Sequence, residues 1–283
     1  MTAARRGRRH RCGVAVNRVE VTPASAGWTY CGLTVLTLAP GETHRVATGE
    51  SETLVLPLSG GCTVTVDGET FELTGRPSVF KATTDFAYLP REASADVSSA
   101  KGAKLALPSA VCTRRLPAKY APAANTQVEL RGAGNCSRQV NNFATPAVLE
   151  ADKLIACEVL TPGGNWSSYP PHKHDETSAN ECELEEIYYY EVAGGGMAYQ
   201  RVYGTEERPI NVLEEVRTDD VVLIPHGWHG PSMAAPGYDL YYLNVMAGPG
   251  TTRKWQITDD PAHNWIRDRW TTEPIDPRLP FYS

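Results

Sequence analysis

Residues 63–73 read TVTVDGETFEL, and this stretch restricts the fold more than any other. Two runs of alternating apolar and polar side chains meet at Asp67-Gly68. A two-residue Asp-Gly turn matches the twist of paired strands. Period-two alternation puts one face of each run on a core and the other toward water. Comparable runs recur as GLTVLTL (32–38), ETLVLPL (52–58), SVF (78–80), FAYLP (86–90), KLIACEVL (153–160), EIYYYEV (186–192), MAYQRVY (197–203), DVVLIP (220–225) and YDLYYLNVM (238–246). Helix-period stretches are scarce, while glycine (24) and proline (21) are plentiful, so the chain reads as all-β.

A chain of 283 residues is too long for one small core, and roughly 150 residues per domain suggests about two. Residues 1–18 form a basic segment expected to be a disordered leader. A first β-rich block spans 19–130. The polar, glycine-bearing stretch RGAGNCSRQVNNFAT (131–145) reads as a linker, a second β-rich block spans 146–246, and an irregular tail occupies 247–283. The two blocks echo each other. THR (43–45) precedes ESETLVLPLSGG (50–61), and PHKH (171–174) precedes ELEEIYYYEVAGGG (183–196). The expectation is two copies of one antiparallel β-barrel module, with candidate ligands only in the second. His44 has no histidine partner, and no metal is expected in the first block.

The net charge of −6 conceals six arginines and no acid within residues 1–18. The other 265 residues hold 21 basic and 33 acidic side chains. Such a body repels polyanions, which argues against nucleic acid as a partner. No apolar segment follows the arginines as in a secretory signal, and no apolar run of about 18 residues could span a bilayer. Seven scattered cysteines without a C-x-x-C pair fit reduced thiols in a cytoplasmic protein.

The chemistry concentrates in SSYPPHKHDETSANECELEEIYYYE (167–191). Alternate strand positions share a face, so His172 and His174 stand roughly 6–7 Å apart on one side. Glu186, Tyr188 and Tyr190 likewise share a face of the next strand. IPHGWHG (224–230) brings His226 and His229 just past a strand end. Three imidazoles and a carboxylate suit a divalent first-row metal and leave positions open for water or substrate. Glu181, Glu183, Glu185 and Glu186 compete for the carboxylate role. Glu186 is preferred because it opens a strand and shares a face with two tyrosines.

An H-x-H pair, a Glu at a strand start and a P-x-G-x-H segment after another strand together resemble the paired motifs of the cupin superfamily. That spacing favours His229 over His226. Two departures stand out: eleven residues separate His174 from Glu186 where cupins carry only a few, and Asp219 occupies a slot usually held by Gly. YPPHKHD, ELEEIYYY, YQRVYG, DDVVLIPHGWH and GYDLYYLNVMAGP narrow the likeness. With GETHRVATGESETLVLPLSGGCTVTVDGETFELTGR (41–76), they resemble the 5-deoxy-glucuronate isomerase family across residues 19–272.

The resemblance implies a bicupin of two tandem antiparallel jelly-roll barrels. It implies one divalent ion, zinc or manganese, on His172, His174, Glu186 and His229. It also implies conversion of 5-deoxy-D-glucuronate, a small sugar acid, to 2-deoxy-5-keto-D-gluconate in inositol catabolism. A related isomerase of 5-keto-4-deoxyuronate has H-x-H-x₄-E, which again points to Glu186. Paired cupin sheets often associate, so a homo-oligomer is compatible with the likeness. Tyr188, Tyr190 and Glu185 are the candidates for moving the proton, and Lys173, Arg201 and Arg253 for holding the substrate carboxylate. An iron-dependent cupin oxygenase and a non-catalytic sugar-binding bicupin are the alternative readings.

Overall fold

The computed structural model describes residues 16–282, so the basic leader lies outside the described residues except for 16–18. The alternating runs form strands, and every described pairing is antiparallel. The first nine are β1 (Val16–Val21), β2 (Cys31–Leu38), β3 (Glu42–Ala47), β4 (Ser51–Val66), β5 (Glu69–Arg76), β6 (Phe86–Leu89), β7 (Ser94–Ser99), β8 (Ala103–Val111) and β9 (Lys119–Ala121). They make one nine-stranded sheet in the order β1-β2-β8-β4-β6-β9, with β3, β5 and β7 attached through β4 and β7. β4 is sixteen residues long and serves two layers. Its first part pairs with β6 and β8, and its second part pairs with β5 and β7. Gly60 sits at the crossing with φ +75°, and a Cβ there would stand 2.5 Å from the Gly102 carbonyl oxygen. Only glycine fits that approach.

The second group comprises β10 (Gln127–Arg131), β11 (Arg138–Ala144), β12 (Ile155–Thr161), β13 (Trp166–Ser167), β14 (His172–Lys173), β15 (Glu185–Val192), β16 (Ala198–Tyr203), β17 (Asn211–Val216), β18 (Val221–Ile224), β19 (Trp228–Ala234), β20 (Leu240–Ala247) and β21 (Thr258–Asp259). One six-stranded sheet runs β10-β11-β12-β20-β15-β18. The other runs β17-β16-β19-β14-β21, with β13 on β19. A short helix, Ile266–Arg269, lies in the tail, and no described helix is long and apolar enough to cross a membrane.

These sheets overturn the expected pair of closed barrels. The all-β content stands, but among the described residues each sheet is open, and its end strands have no hydrogen-bonded partner that would complete a ring. Sheets facing each other bury their apolar sides without closing. Val202, Val212 and Val216 of one C-terminal sheet share a cluster with Cys157, Tyr188, Tyr190 and Met246 of the other. In the first half, Leu36, Val55 and Leu105 meet Val64, Leu73 and Val97 across the two layers of β4. Each fully buried aliphatic side chain adds about 1.5–3 kcal/mol, so face-to-face burial suffices.

A third cluster joins the halves. Leu54, Leu56 and Tyr88 meet Ile187, Tyr189, Leu243 and Val245. β15 is therefore covered on both sides. Its odd-numbered apolar positions face the first half, while Glu186, Tyr188 and Tyr190 face the inner core of the second. Within residues 131–145, whose polarity reads as a linker, Arg138–Ala144 is a strand between β10 and β12. Its polar side chains are paired rather than solvated. Gln139 donates to Asn141 at 2.9 Å, and Asn141 donates to Glu158 at 3.1 Å and to the Tyr282 hydroxyl at 2.7 Å.

Candidate metal centre

β14 is only two residues long, yet it fixes the centre. It lies between β19 and β21, with His172 directly opposite His229 on one side and Asp259 on the other. His174 follows one residue beyond the strand, and Glu186 enters from the facing sheet, where it pairs with Ile224 and Met246. One nitrogen from each of His172, His174 and His229 lies within 4.8 Å of the other two. Glu186 Oε2 stands 3.2 Å from His174 Nε2 and 3.0 Å from His229 Nε2. His174, Glu186 and His229 are almost fully buried.

The backbone sets each imidazole. His174 Nδ1 lies 3.2 Å from the Leu184 carbonyl oxygen, and His229 Nδ1 lies 3.2 Å from that of Gly227. The backbone of Pro170 bonds His172. A carbonyl accepts, so each Nδ1 of His174 and His229 carries the hydrogen and its Nε2 offers a lone pair. Burial first, then His229 and His174, push the His172 imidazole well below its ordinary range. Burial opposes charge on His174 as well, but its bond to Glu186 outweighs this and raises it. Burial also works against ionised Glu186, yet His229 and His174 hold it well below the usual carboxylate range.

This donor set fits a divalent ion. Two lone pairs aimed at one carboxylate oxygen repel unless a proton or cation lies between them. His229 Nε2 makes no hydrogen bond despite its 3.0 Å approach to Glu186. Glu186 stands close enough to His174 and His229 for the three donors to share one ion, and His172 completes the imidazole cluster.

The eleven-residue segment between His174 and Glu186 is pinned by its own charges. Lys173 Nζ reaches Asp175 at 2.8 Å and Glu181 at 2.9 Å, while Glu181 also accepts from the N–H groups of Asp175 and Glu176. Asp175 accepts from Gly227 N at 2.8 Å, which ties the loop to the segment carrying His229. Glu181 and Lys173 are thus engaged with each other. His226 stands outside the imidazole cluster.

Tyr188 lines the cavity beside His172 and Glu186, with Tyr242, Ser168 and Asn244. Ser168 Oγ lies 3.1 Å from the Tyr188 hydroxyl and 2.9 Å from that of Tyr242, and the two rings stack with centroids 4.9 Å apart. Tyr190 is not on that wall; its hydroxyl donates to Gln200 at 2.9 Å in the core. Glu185 points the other way and accepts from the N–H groups of Thr29, Tyr30 and Cys31 at 2.7, 2.7 and 2.8 Å. Arg201 donates to Asn211 and to the carbonyls of Val202 and Val212, and Arg253 donates to those of Ala144, Leu149 and Leu154. Neither lines the cavity with the histidines.

Sequence reasoning passed over Asn244 and Ser168. Asn244 donates to Glu186 Oε1 from β20, and its one visible signal was a lone amide within the apolar strand LYYLNVMA. Ser168 carried no signal beyond its nearness to PPHKH.

Known proteins share this architecture and sequence. The profile of the KduI/IolB family matches residues 4–266. A 5-deoxy-glucuronate isomerase of Geobacillus kaustophilus (strain HTA426) is 42% identical over 256 residues, covering 89% of this chain and 91% of that protein. The crystal structure of an IolB-like protein from Salmonella typhimurium LT2 superposes with a TM-score of 0.84 at 35% identity, covering 90% of this chain and 97% of that one. An oxalate decarboxylase of Lactobacillus farciminis superposes with a TM-score of 0.63 at 12% identity, covering 92% and 86%, a likeness of fold alone. With a profile that spans nearly the whole sequence and a relative this similar from end to end, the chain belongs to the KduI/IolB family.

Proposed function

We propose that this chain is a 5-deoxy-glucuronate isomerase of inositol catabolism, converting 5-deoxy-D-glucuronate to 2-deoxy-5-keto-D-gluconate. Three clustered imidazoles with Glu186 against two of them, behind a cavity that His172 and Glu186 line, in a chain of this family, carry the reading. His172, His174, Glu186 and His229 would hold one divalent ion, zinc or manganese. When bound, that ion supplies Lewis-acid stabilisation of charge developing on the sugar oxygens.

The remaining work falls to the chain's own side chains. An aldose–ketose interconversion takes a proton from the carbon beside the aldehyde, returns one to the former carbonyl carbon, and shifts a hydroxyl proton between the two oxygens. Of the three groups the sequence offers for proton handling, we place this role on Tyr188. Tyr188 lines the cavity, whereas Tyr190 is bonded in the core and Glu185 faces the first half. Burial, then Glu186, raise the Tyr188 phenol well above its ordinary value, so it stays protonated and acts as a donor to a developing oxyanion. Ser168, hydrogen-bonded to the Tyr188 and Tyr242 hydroxyls, can resupply the proton that Tyr188 gives to the oxyanion. The halves divide the labour: residues 146–246 carry the chemistry and 19–130 brace them, with the whole acting in the cytoplasm.

Anaerobic incubation of metal-loaded protein with 5-deoxy-D-glucuronate in deuterated water tests this. Nuclear magnetic resonance should show the ketose and deuterium beside its carbonyl. His174→Ala should lose both bound metal and exchange. Full activity in that variant, or turnover that needs oxygen, would exclude the reading.

A further inference from the structure

Arg138 is a buried guanidinium without a counter-ion. Its side chain lies almost wholly out of solvent at the start of β11, opposite Arg131 of β10. Nη1 donates to the carbonyl oxygens of Cys136 at 2.9 Å and Tyr169 at 3.4 Å, and the group stacks 5.1 Å from the Trp270 ring centroid. Among the described residues no carboxylate pairs with it, and Nε and Nη2 keep their hydrogens uncommitted. Other buried or half-buried arginines differ. Arg76 pairs with Glu158, Arg131 with Glu129 and Arg267 with Asp259, while Arg253 gives all three nitrogens to backbone carbonyls. Burial, with the neighbouring Arg131 and Arg267, pulls Arg138 down to about 10, which still leaves it charged at neutral pH.

A buried, unpaired guanidinium is costly, and an incoming anion relieves that cost. Arg138 lines the same cavity as His172, Glu186 and Tyr188. Arg131 and Arg267 also border it, but their carboxylates already neutralise them. We infer that Arg138 takes the carboxylate of the substrate, and that this contact makes the cavity select an acid sugar over a neutral one. The inference rests on the proposed function, in which the aldehyde end faces the histidine centre and the other end carries the acid. It assigns the carboxylate to none of Lys173, Arg201 and Arg253: Lys173 is paired with Asp175 and Glu181, Arg253 is spent on backbone carbonyls, and Arg201 does not line the cavity.

The test compares 5-deoxy-D-glucuronate with its amide, a neutral molecule of nearly the same shape, on metal-loaded wild type, Arg138→Gln and Arg138→Lys. Wild type should favour the acid about ten- to hundredfold in kcat/KM, the range expected for a charge-assisted bond. Arg138→Gln should bring that ratio toward one, chiefly by raising KM for the acid. Arg138→Lys should keep part of the preference. Equal turnover of acid and amide by wild type overturns the inference while leaving the isomerase reading intact, and needs no variant to fold. So does an undiminished preference in Arg138→Gln, or an equal loss on both substrates in Arg138→Gln and Arg138→Lys. Conversion of neither compound by wild type overturns the proposed function itself, and the inference with it.

Discussion

Arg76 of the first half reaches across the seam to Glu158 on β12, placing both Nη atoms on the two carboxylate oxygens, and both side chains are fully enclosed. Glu158 also accepts from the Tyr241 hydroxyl at 2.8 Å and from Asn141 at 3.1 Å. Removing one partner strands a buried charge. Arg76→Met should therefore cost about 3–5 kcal/mol, whereas Arg76→Met with Glu158→Leu should cost much less. Denaturant unfolding of both variants checks this. A double variant less stable than the single one would show that the pair does not balance as described.

Asn244 orients Glu186 through Oε1. Asn244→Leu should weaken metal binding about 10–100-fold, the usual effect of losing a group that orients a metal ligand. Competition against a coloured chelator measures it. Unchanged affinity would remove Asn244 from the centre.

Tyr188 and Glu185 separate chemistry from scaffolding. Tyr188→Phe should lower kcat by about 10²–10⁴ with little change in KM. Glu185→Gln should instead lower the melting temperature, because it weakens the cap on the Thr29–Cys31 backbone, and should leave kcat within a few-fold. Steady-state kinetics beside thermal melts would reveal the reverse pattern if the roles were exchanged.

Asp152 gives the protein part of its acid sensitivity. Partial burial opposes its charge, but Arg114 and the N–H groups of Thr113 and Arg114 prevail and draw it down to about 2. A carboxyl depressed in the folded state stabilises above its unfolded value near 3.9 and loses that contribution as pH falls toward 2. Exposure screens much of it. Wild type should thus exceed Asp152→Asn in stability by a constant margin above about pH 5, and the margin should shrink steadily as pH falls from about 5 toward 1. Urea unfolding across this range follows it, and a margin that grows on acidification would refute the assignment.

Period-two alternation around Asp67-Gly68 and through EIYYYEV made the all-β character legible, because the pattern is local and each strand carries it whole. The same parity explains why Glu186 and Tyr188 face one way while Ile187 and Tyr189 face the other. Where the sheet edges go is different. Local alternation carries no information on which distant strands meet, so closed barrels were expected where the sheets stand open. The polar run at 138–143 misled for a related reason: Asn141 donates to Glu158 and Tyr282, and Gln139 accepts from Phe281 N, only once those residues arrive from other parts of the chain.

The sequence by itself determined the strand content, the side of β15 that Glu186 faces, and the imidazole-bearing segments that could meet. Tertiary structure alone decided that His172 lies opposite His229, that Glu185 serves the other half, and that Arg138 rather than Lys173, Arg201 or Arg253 remains unpaired beside the cavity. The reason is physical. Whether a charge is free depends on every group that packs around it, and those groups come from strands far apart in the chain.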